Sequence, residues 1–315
     1  MFKFWISLMM ASLCFESPGV ASENSLLDLS YINHPGQFSA SFLNVNSESG
    51  LSGFVSGSTV NTYANQSLLA LEAKLGIFKD FAISAGAATG TNKLRTAVDS
   101  TEVKQNSAGA TDPFVGFSWR ILGSGGDGGG GLLLECAYSP DTSSGSYGSA
   151  AVAGKDGDMK RGGTLSTVQV ALYKKFSFYE AMLKLGATLN GPMKKKNVDD
   201  SAAYRYESST NSRLELIQRW NIAEAFYFDL ILGSENLGEV QYQNEVTSAV
   251  TKSSSYSQGV MALGLGFSFF ESVVLDTKIE LDQLLQSVQI TTGSTTMNMK
   301  TNSGKVASVG LSIYF

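Results

Sequence analysis

Fourteen ionisable residues in this 315-residue sequence recur at one parity within segments whose other parity is apolar. They are Glu72, Lys74, Arg120, Glu135, Glu180, Lys184, Arg213, Glu215, Arg219, Asp229, Asp276, Lys278, Glu280 and Asp282. Carboxylates and cations at that spacing do electrostatic chemistry. Facing a narrow water-filled path, they bias which ions and polar solutes enter; facing one another, they pair and fill the space. Nucleophilic and metal chemistry lack their central residue. His34 is the sole histidine and precedes the first alternating segment, so a Ser-His-Asp arrangement, a histidine metal site and histidine acid/base catalysis have no candidate. No catalytic residue, metal ligand or cofactor is expected, and the protein reads as a non-enzyme. The run from Gly125 to Gly131, broken by Asp127, has no following Lys-Ser/Thr and no repetition, so it reads as a turn and not a phosphate or calcium loop.

The elements that must position those charges are strands. In 66–77, Leu69, Leu71, Ala73, Leu75 and Ile77 share one face while Ala70, Glu72, Lys74 and Gly76 share the other. In 179–189, Tyr179, Ala181, Leu183, Leu185, Ala187 and Leu189 oppose Glu180, Met182, Lys184, Gly186 and Thr188. A helix would place Lys184 among leucines with no polar face to share. Ten weaker segments follow the same rule: 37–46, 81–89, 113–122, 132–139, 164–173, 213–221, 226–233, 259–270, 274–284 and 304–315. Twelve segments of about ten residues have the length a tilted strand needs to cross a bilayer.

The connections between them alternate strictly. Short ones (78–80, 123–131, 174–178, 222–225, 271–273) alternate with long ones (47–65, 90–112, 140–163, 190–212, 234–258, 285–303) rich in Ser, Thr, Gly and Asn, which read as loops. Aromatics crowd the short ends: Phe78, Phe81, Trp119, Phe176, Phe178, Tyr179, Trp220, Phe226, Phe228, Phe269, Phe270, Tyr314 and Phe315. One interface of a membrane explains that crowding, and a soluble sandwich does not.

The last strand carries a resemblance. Val309, Leu311, Ile313 and Phe315 alternate with Ser308, Gly310, Ser312 and Tyr314 to the final residue. Ser308, Gly310, Ile313 and Phe315 stand where Gram-negative outer-membrane β-barrels carry their C-terminal assembly signal, and the chain resembles those proteins. The resemblance implies an all-β, antiparallel transmembrane barrel of about twelve strands over 37–315. It also implies contact with the barrel-insertion machinery, outer-membrane lipid and lipopolysaccharide, and an outer-membrane location with both chain ends in the periplasm. The outer-membrane phospholipase is a comparison on which enzymatic activity would rest, but no strand here carries its His-x-Ser motif.

The remaining features agree. Residues 1–22 read as a secretory signal, with Lys3 before an apolar run and Gly19, Val20, Ala21 and Ser22 at its end. Its removal takes Cys14 and leaves Cys136 alone, so no internal disulfide forms. Residues 23–36 form a short periplasmic segment, either a lead-in or a small plug, with Leu27, Leu29 and Tyr31 in alternation. A net charge of -5 excludes nucleic acid as a partner, and Lys194-Lys195-Lys196 reads as a solvated loop. With leucines toward lipid, the fourteen charges line the lumen, because ionisable groups facing lipid cost several kcal/mol (about 2–4 each). Counting from the short turns puts Glu180 beside Arg219 and Lys184 beside Glu215 as cross-strand pairs. Ser84, Gly86, Gly264, Gly266 and Ser268 leave space. The expected function is a narrow channel for small polar solutes, with Lys184, Arg219, Asp229, Asp276 and Glu280 setting ion preference. The alternative is a closed adhesion or receptor barrel that works through its loops.

Overall fold

The computed structural model describes residues 26–55, 58–124, 128–143, 145–148, 156–223, 225–269 and 272–315. The signal sequence 1–22, residues 23–25, Gly125 to Asp127 and Phe270 lie outside the described residues. Nineteen strands are described, with no helix among these residues: β1 (Phe38–Val55), β2 (Ser58–Phe78), β3 (Phe81–Val98), β4 (Thr101–Ala110), β5 (Phe114–Gly123), β6 (Gly130–Ser139), β7 (Gly145–Tyr147), β8 (Leu165–Phe176), β9 (Tyr179–Asn190), β10 (Met193–Asn197), β11 (Ala203–Tyr206), β12 (Ser209–Ala223), β13 (Phe226–Leu237), β14 (Val240–Asn244), β15 (Val250–Ser253), β16 (Tyr256–Phe269), β17 (Val273–Leu284), β18 (Val288–Thr292) and β19 (Thr295–Tyr314).

Twelve of these close into an antiparallel barrel in the order β1-β2-β3-β5-β6-β8-β9-β12-β13-β16-β17-β19. The seam is the β1–β19 pair, which runs from Ser39↔Tyr314 to Phe54↔Asn298. Closure follows from the solvent: lipid offers no hydrogen bond to an open strand edge, so first and last strands must satisfy each other. The outer face then has to be apolar. Leu69, Leu71, Leu185, Leu263 and Val309 are exposed around the wall, a display that water would penalise and lipid accepts.

The aromatic belt is continuous in places. Phe78 meets Phe81, which stacks on Phe117; Phe176, Tyr179, Trp220 and Phe228 form a chain of ring contacts at 5.6–6.0 Å. Phe38 meets Phe315 at 6.0 Å across the seam. Tyr314 does not belong to this belt. It lies on the opposite parity from Phe315 and packs inside against Tyr31, ring centroids 5.6 Å apart.

Five of the six long connections are built largely of strands, which corrects the sequence expectation; the described part of 140–163 holds only the short β7 and otherwise stays irregular. The five continue as strands beyond the apolar band. β3 runs on to pair with β4; β10 pairs with β7 and β11; then β11–β14, β14–β15, β15–β18 and β18–β19 follow in turn. A bridge between Ser107 and Gly157 links β4 to the 140–163 connection, so the extension is walled nearly all the way round. Outside the lipid both faces of a strand can meet water, so no apolar alternation marks it. Lys194, Lys195 and Lys196 therefore lie on β10 and not in a loop.

Candidate functional site

The described part of the N-terminal segment, residues 26–36, crosses the lumen at the short-turn end. Ser30 and Asn33 are fully buried within the barrel. Ile32 packs against Ala82, Leu133, Ala171, Tyr173 and Met182, and Leu27 against Tyr227 and Val274. Each such aliphatic side chain gains roughly 1.5–3 kcal/mol from burial. The wall is shaped to admit the segment. A Cβ on Gly76 would lie 1.9 Å from the His34 carbonyl oxygen, so only glycine lets the plug backbone pass. Likewise Gly266 leaves the space that the Tyr227 ring occupies.

Charged wall residues hold the plug by its backbone. Arg120 donates to the Ser30 carbonyl at 2.7 Å, Glu180 accepts from the Leu29 N–H at 2.9 Å, and Arg219 donates to the Leu27 carbonyl. Lys175 pairs with the plug's Asp28 at 2.6 Å. Asn33 donates to the Ser39 hydroxyl at 2.9 Å and to the Lys74 carbonyl at 3.3 Å. These side chains are out of reach of water: Arg120 is 2% and Lys175 6% exposed. A buried charge is costly unless paired or hydrogen-bonded: Arg120 pairs with Asp80 and Lys175 with Asp28, whereas Glu180 is held by the Leu29 N–H and Asn221 alone among the described residues.

Above the plug the charges form a second layer. Lys184 pairs with Glu135 at 2.9 Å across β8, whose small Ala171 lies on the rung beside Lys184. Arg213 bridges Glu215 at 2.7 Å and Glu280 at 3.0 Å, and Lys278 meets Glu280 at 2.8 Å. Arg213 spans from β12 to β17 over β13 and β16, where Gly233 and the buried Ala262 take little room. Lys184, Arg213 and Lys278 are 22%, 30% and 35% exposed, so water reaches this layer. Glu72 and Lys74 on β2, with Asp276 and Asp282 on β17, make no ion pair within 4.0 Å among the described residues.

Two expected pairs are therefore corrected. Glu180 and Arg219 do share a rung, as do Lys184 and Glu215, but the side chains bond elsewhere. Arg219 gives both guanidinium arms to Asp229 at 2.7 and 2.6 Å and lies 3.6 Å from the centre of the Tyr227 ring. Both Glu180 oxygens are already engaged, one by the Leu29 N–H of the plug and one by Asn221, so the planar fork takes Asp229 on the other neighbouring strand. Arg120, Glu180, Arg219 and Asp229 thus belong to the sealed base, so Arg219 and Asp229 do not stand in the path of ions while the plug is seated. Lys175, Asp28 and Asn221 escaped the sequence reading. Lys175 continues the inward parity of Ala171 and Tyr173, which was the available signal.

The four residues of the C-terminal motif lie on β19 and at its end. Gly310 faces Asp276, whose carboxylate would lie 2.7 Å from an added Cβ, and Ser308 is inward opposite Lys278. Ile313 and Phe315 point outward, and the Phe315 N–H donates to the Phe38 carbonyl at 2.8 Å. Cys136 is a free thiol on the outward parity of β6.

At the extension end the inner lining differs. Tyr147, Tyr204, Tyr206 and Tyr242 pack together, with the Tyr147 and Tyr206 hydroxyls 2.7 Å apart and the Lys195 ammonium 4.8 Å from the Tyr147 ring. Burial pushes the Lys195 pKa down, which Asp158 partly offsets.

No protein-family model matches the sequence, and no curated protein matches it. Solved structures do. An outer membrane channel from Pseudomonas putida F1 is 12% identical, with a TM-score of 0.56, over 93% of this chain and 100% of that one. The transport unit of the autotransporter AIDA-I from Escherichia coli is 12% identical, with a TM-score of 0.58, over 92% and 93%. At that identity the likeness is one of fold, and the fold is that of Gram-negative outer-membrane β-barrels.

Proposed function

We propose that this protein is an outer-membrane channel for small polar solutes which rests with its short-turn end stoppered by its own N-terminal segment. The short turns and both chain ends face the periplasm, and the walled extension stands outside the cell. One observation carries the reading: above the plug the charged layer stays open to water, whereas a barrel that serves only as an anchor gains nothing by keeping Lys278 and Arg213 a third exposed. Among the water-reached charges, Glu72, Glu135, Glu215, Asp276 and Asp282 outnumber Lys74, Lys184, Arg213 and Lys278, two of which the buried Glu280 neutralises. The path therefore favours cations and neutral polar molecules.

The similar Pseudomonas putida protein is an outer membrane channel, which supports the same class without naming a solute. A receptor or adhesion barrel is the second reading, favoured by the packed tyrosines and closed wall of the extension. Liposome swelling separates the two. Vesicles with the chain lacking 26–36 should swell in small sugars and slow as sugar size rises. Swelling no faster than empty vesicles would leave the receptor reading.

A further inference from the structure

We infer that the inner face of the extension, where β7, β10, β11 and β14 meet, is a binding site for a neutral saccharide that sits on tyrosine rings and is held at its rim by Lys195. The inference rests on the proposed reading of the extension as the outer mouth of the path. Register puts the side chains on one face. Tyr204 is the rung partner of Lys195, Tyr206 of Tyr242, and Tyr147 of Asn197, two residues beyond Lys195. That face is the lumen. Arg161, an electrostatic neighbour of Lys195, donates its backbone N–H to the buried Asp112 at 2.7 Å and its guanidinium to Asn190 at 2.8 Å. Asn190 lies on the inward parity of β9, with Glu180 and Lys184. The Lys195 stem crosses Gly145, where an added Cβ would lie 3.1 Å from both its Cγ and its Cε.

The rings form a corner and not a stack. Tyr204 meets Tyr147 at 78° and Tyr242 at 80°, with centroids 6.0 and 5.9 Å apart, while Tyr206 lies 5.0 Å from Tyr242 at 38°. All four are half-buried, so ring surface stays open to the lumen. The face of an aromatic ring is electron-rich and attracts the polarised C–H bonds along one side of a sugar ring. Polar groups without partners of their own stand beside it. Among the described residues the Tyr204 and Tyr242 hydroxyls make no hydrogen bond, and the Lys195 ammonium makes neither hydrogen bond nor ion pair, lying 4.8 Å from the centre of the Tyr147 ring. The Tyr147 and Tyr206 hydroxyls use each other, at 2.7 Å. A saccharide matches both features, since it presents a C–H face and a rim of hydroxyls.

Charge and burial narrow the class. Lys160, Arg161 and Lys195 stand against Asp112 and Asp158, so the corner keeps an excess of positive charge that repels an organic cation from the rings. An anion entering here would next face the carboxylates of the water-reached layer, so charge favours a neutral ligand over the whole path. An apolar ligand would cover the two hydroxyls and the ammonium without bonding them, which costs free energy. The apolar lining elsewhere in the extension does not compete for a ligand, because Val60, Val288 and Met299 are buried against one another.

The test uses the folded full-length chain in a polyoxyethylene detergent, which has no sugar headgroup to compete, and follows binding by titration calorimetry. The probes are maltotriose and xylotriose, with benzyl alcohol and tetramethylammonium chloride as controls. At least one trisaccharide should bind saturably and more tightly than either control. Lys195→Met, and separately Tyr204→Phe with Tyr242→Phe, should weaken that binding about three- to tenfold, the loss of one or two hydrogen bonds. The phenylalanines keep the rings, so the loss reports the hydroxyls and not the packing. Lys196→Met, on the outward parity where Lys196 meets Asp200, should bind as the parent does. Heat-modifiable migration on a gel reports folding for every variant. No saturable binding of either sugar, a control bound as tightly, or unchanged affinity in both Lys195→Met and the tyrosine pair overturns the site. Conduction does not enter these readouts: a chain that binds sugar and never conducts removes the channel and keeps the site, whereas one that conducts without binding removes the site alone.

Discussion

Glu180 and Arg219 are rung partners on β9 and β12, yet they do not form an ion pair with each other. Arg219 grips Asp229 at 2.6 Å, and Glu180 accepts from the N-terminal segment and from Asn221, each at 2.9 Å. This arrangement divides the barrel charges into a dry layer that holds the plug and a wet layer that a solute would meet. The division sets different expectations for substitutions only a few residues apart.

In the dry layer, Arg219→Ala strands the Asp229 carboxylate in a site where it is 7% exposed. Removing one partner of a buried pair costs about 3–5 kcal/mol, so the heat-modifiable transition of the purified barrel should move to lower temperature. The double change Arg219→Met with Asp229→Leu should recover most of the loss. A double variant no better than the single one would mean that Arg219 acts mainly through the Leu27 carbonyl.

In the wet layer, Asp282→Asn and Glu280→Gln should differ. Asp282 has no ion-pair partner within 4.0 Å among the described residues and one of its oxygens is buried without a hydrogen bond, so its replacement should lower cation preference without destabilising the barrel. Glu280 neutralises both Arg213 and Lys278, and its loss should also destabilise the barrel. Reversal potential and thermal gel shift on both variants check the contrast.

How much of this was legible in the sequence depended on what surrounds each strand. Lipid on one side imposes the alternation that revealed twelve segments, because a single polar residue on the outer face is expensive there. β4, β10, β11, β14, β15 and β18 have no such solvent, and their Ser, Thr and Lys content looks like that of a loop. Rung positions were also readable, since the height of Glu180 and Arg219 follows from counting. Their partners were not, because a long side chain selects among acceptors on neighbouring strands and on the plug. The plug itself left one trace: Arg120, Lys175, Glu180 and Arg219 all crowd near the short turns, and each bonds the plug in addition to any partner in the wall.

The seam makes its own prediction. The Phe315 side chain is 72% exposed, so in water its loss would cost little, but its backbone closes the barrel against Phe38 in both directions, at 2.8 and 3.2 Å. Deleting Phe315 should reduce inserted, heat-modifiable barrel in cell envelopes several-fold, roughly as expected where a closing strand loses its last bonds. Phe315→Tyr should insert nearly normally. Undiminished insertion of the truncated chain would remove the resemblance to an assembly signal as a functional statement.

Single-channel recording in planar bilayers tests the central claim most directly, with three forms compared: the full-length mature chain, the chain lacking 26–36, and the full-length Gly76→Val variant. Valine at 76 collides with the His34 carbonyl oxygen, where even a Cβ would lie 1.9 Å away, so the plug must give way while the barrel wall remains. The account predicts rare or absent steps from the full-length chain, and frequent cation-preferring steps of similar size from the other two. Silence from all three, with folded barrel in each sample, would contradict it, as would steps from the full-length chain equal to those from the chain without its plug.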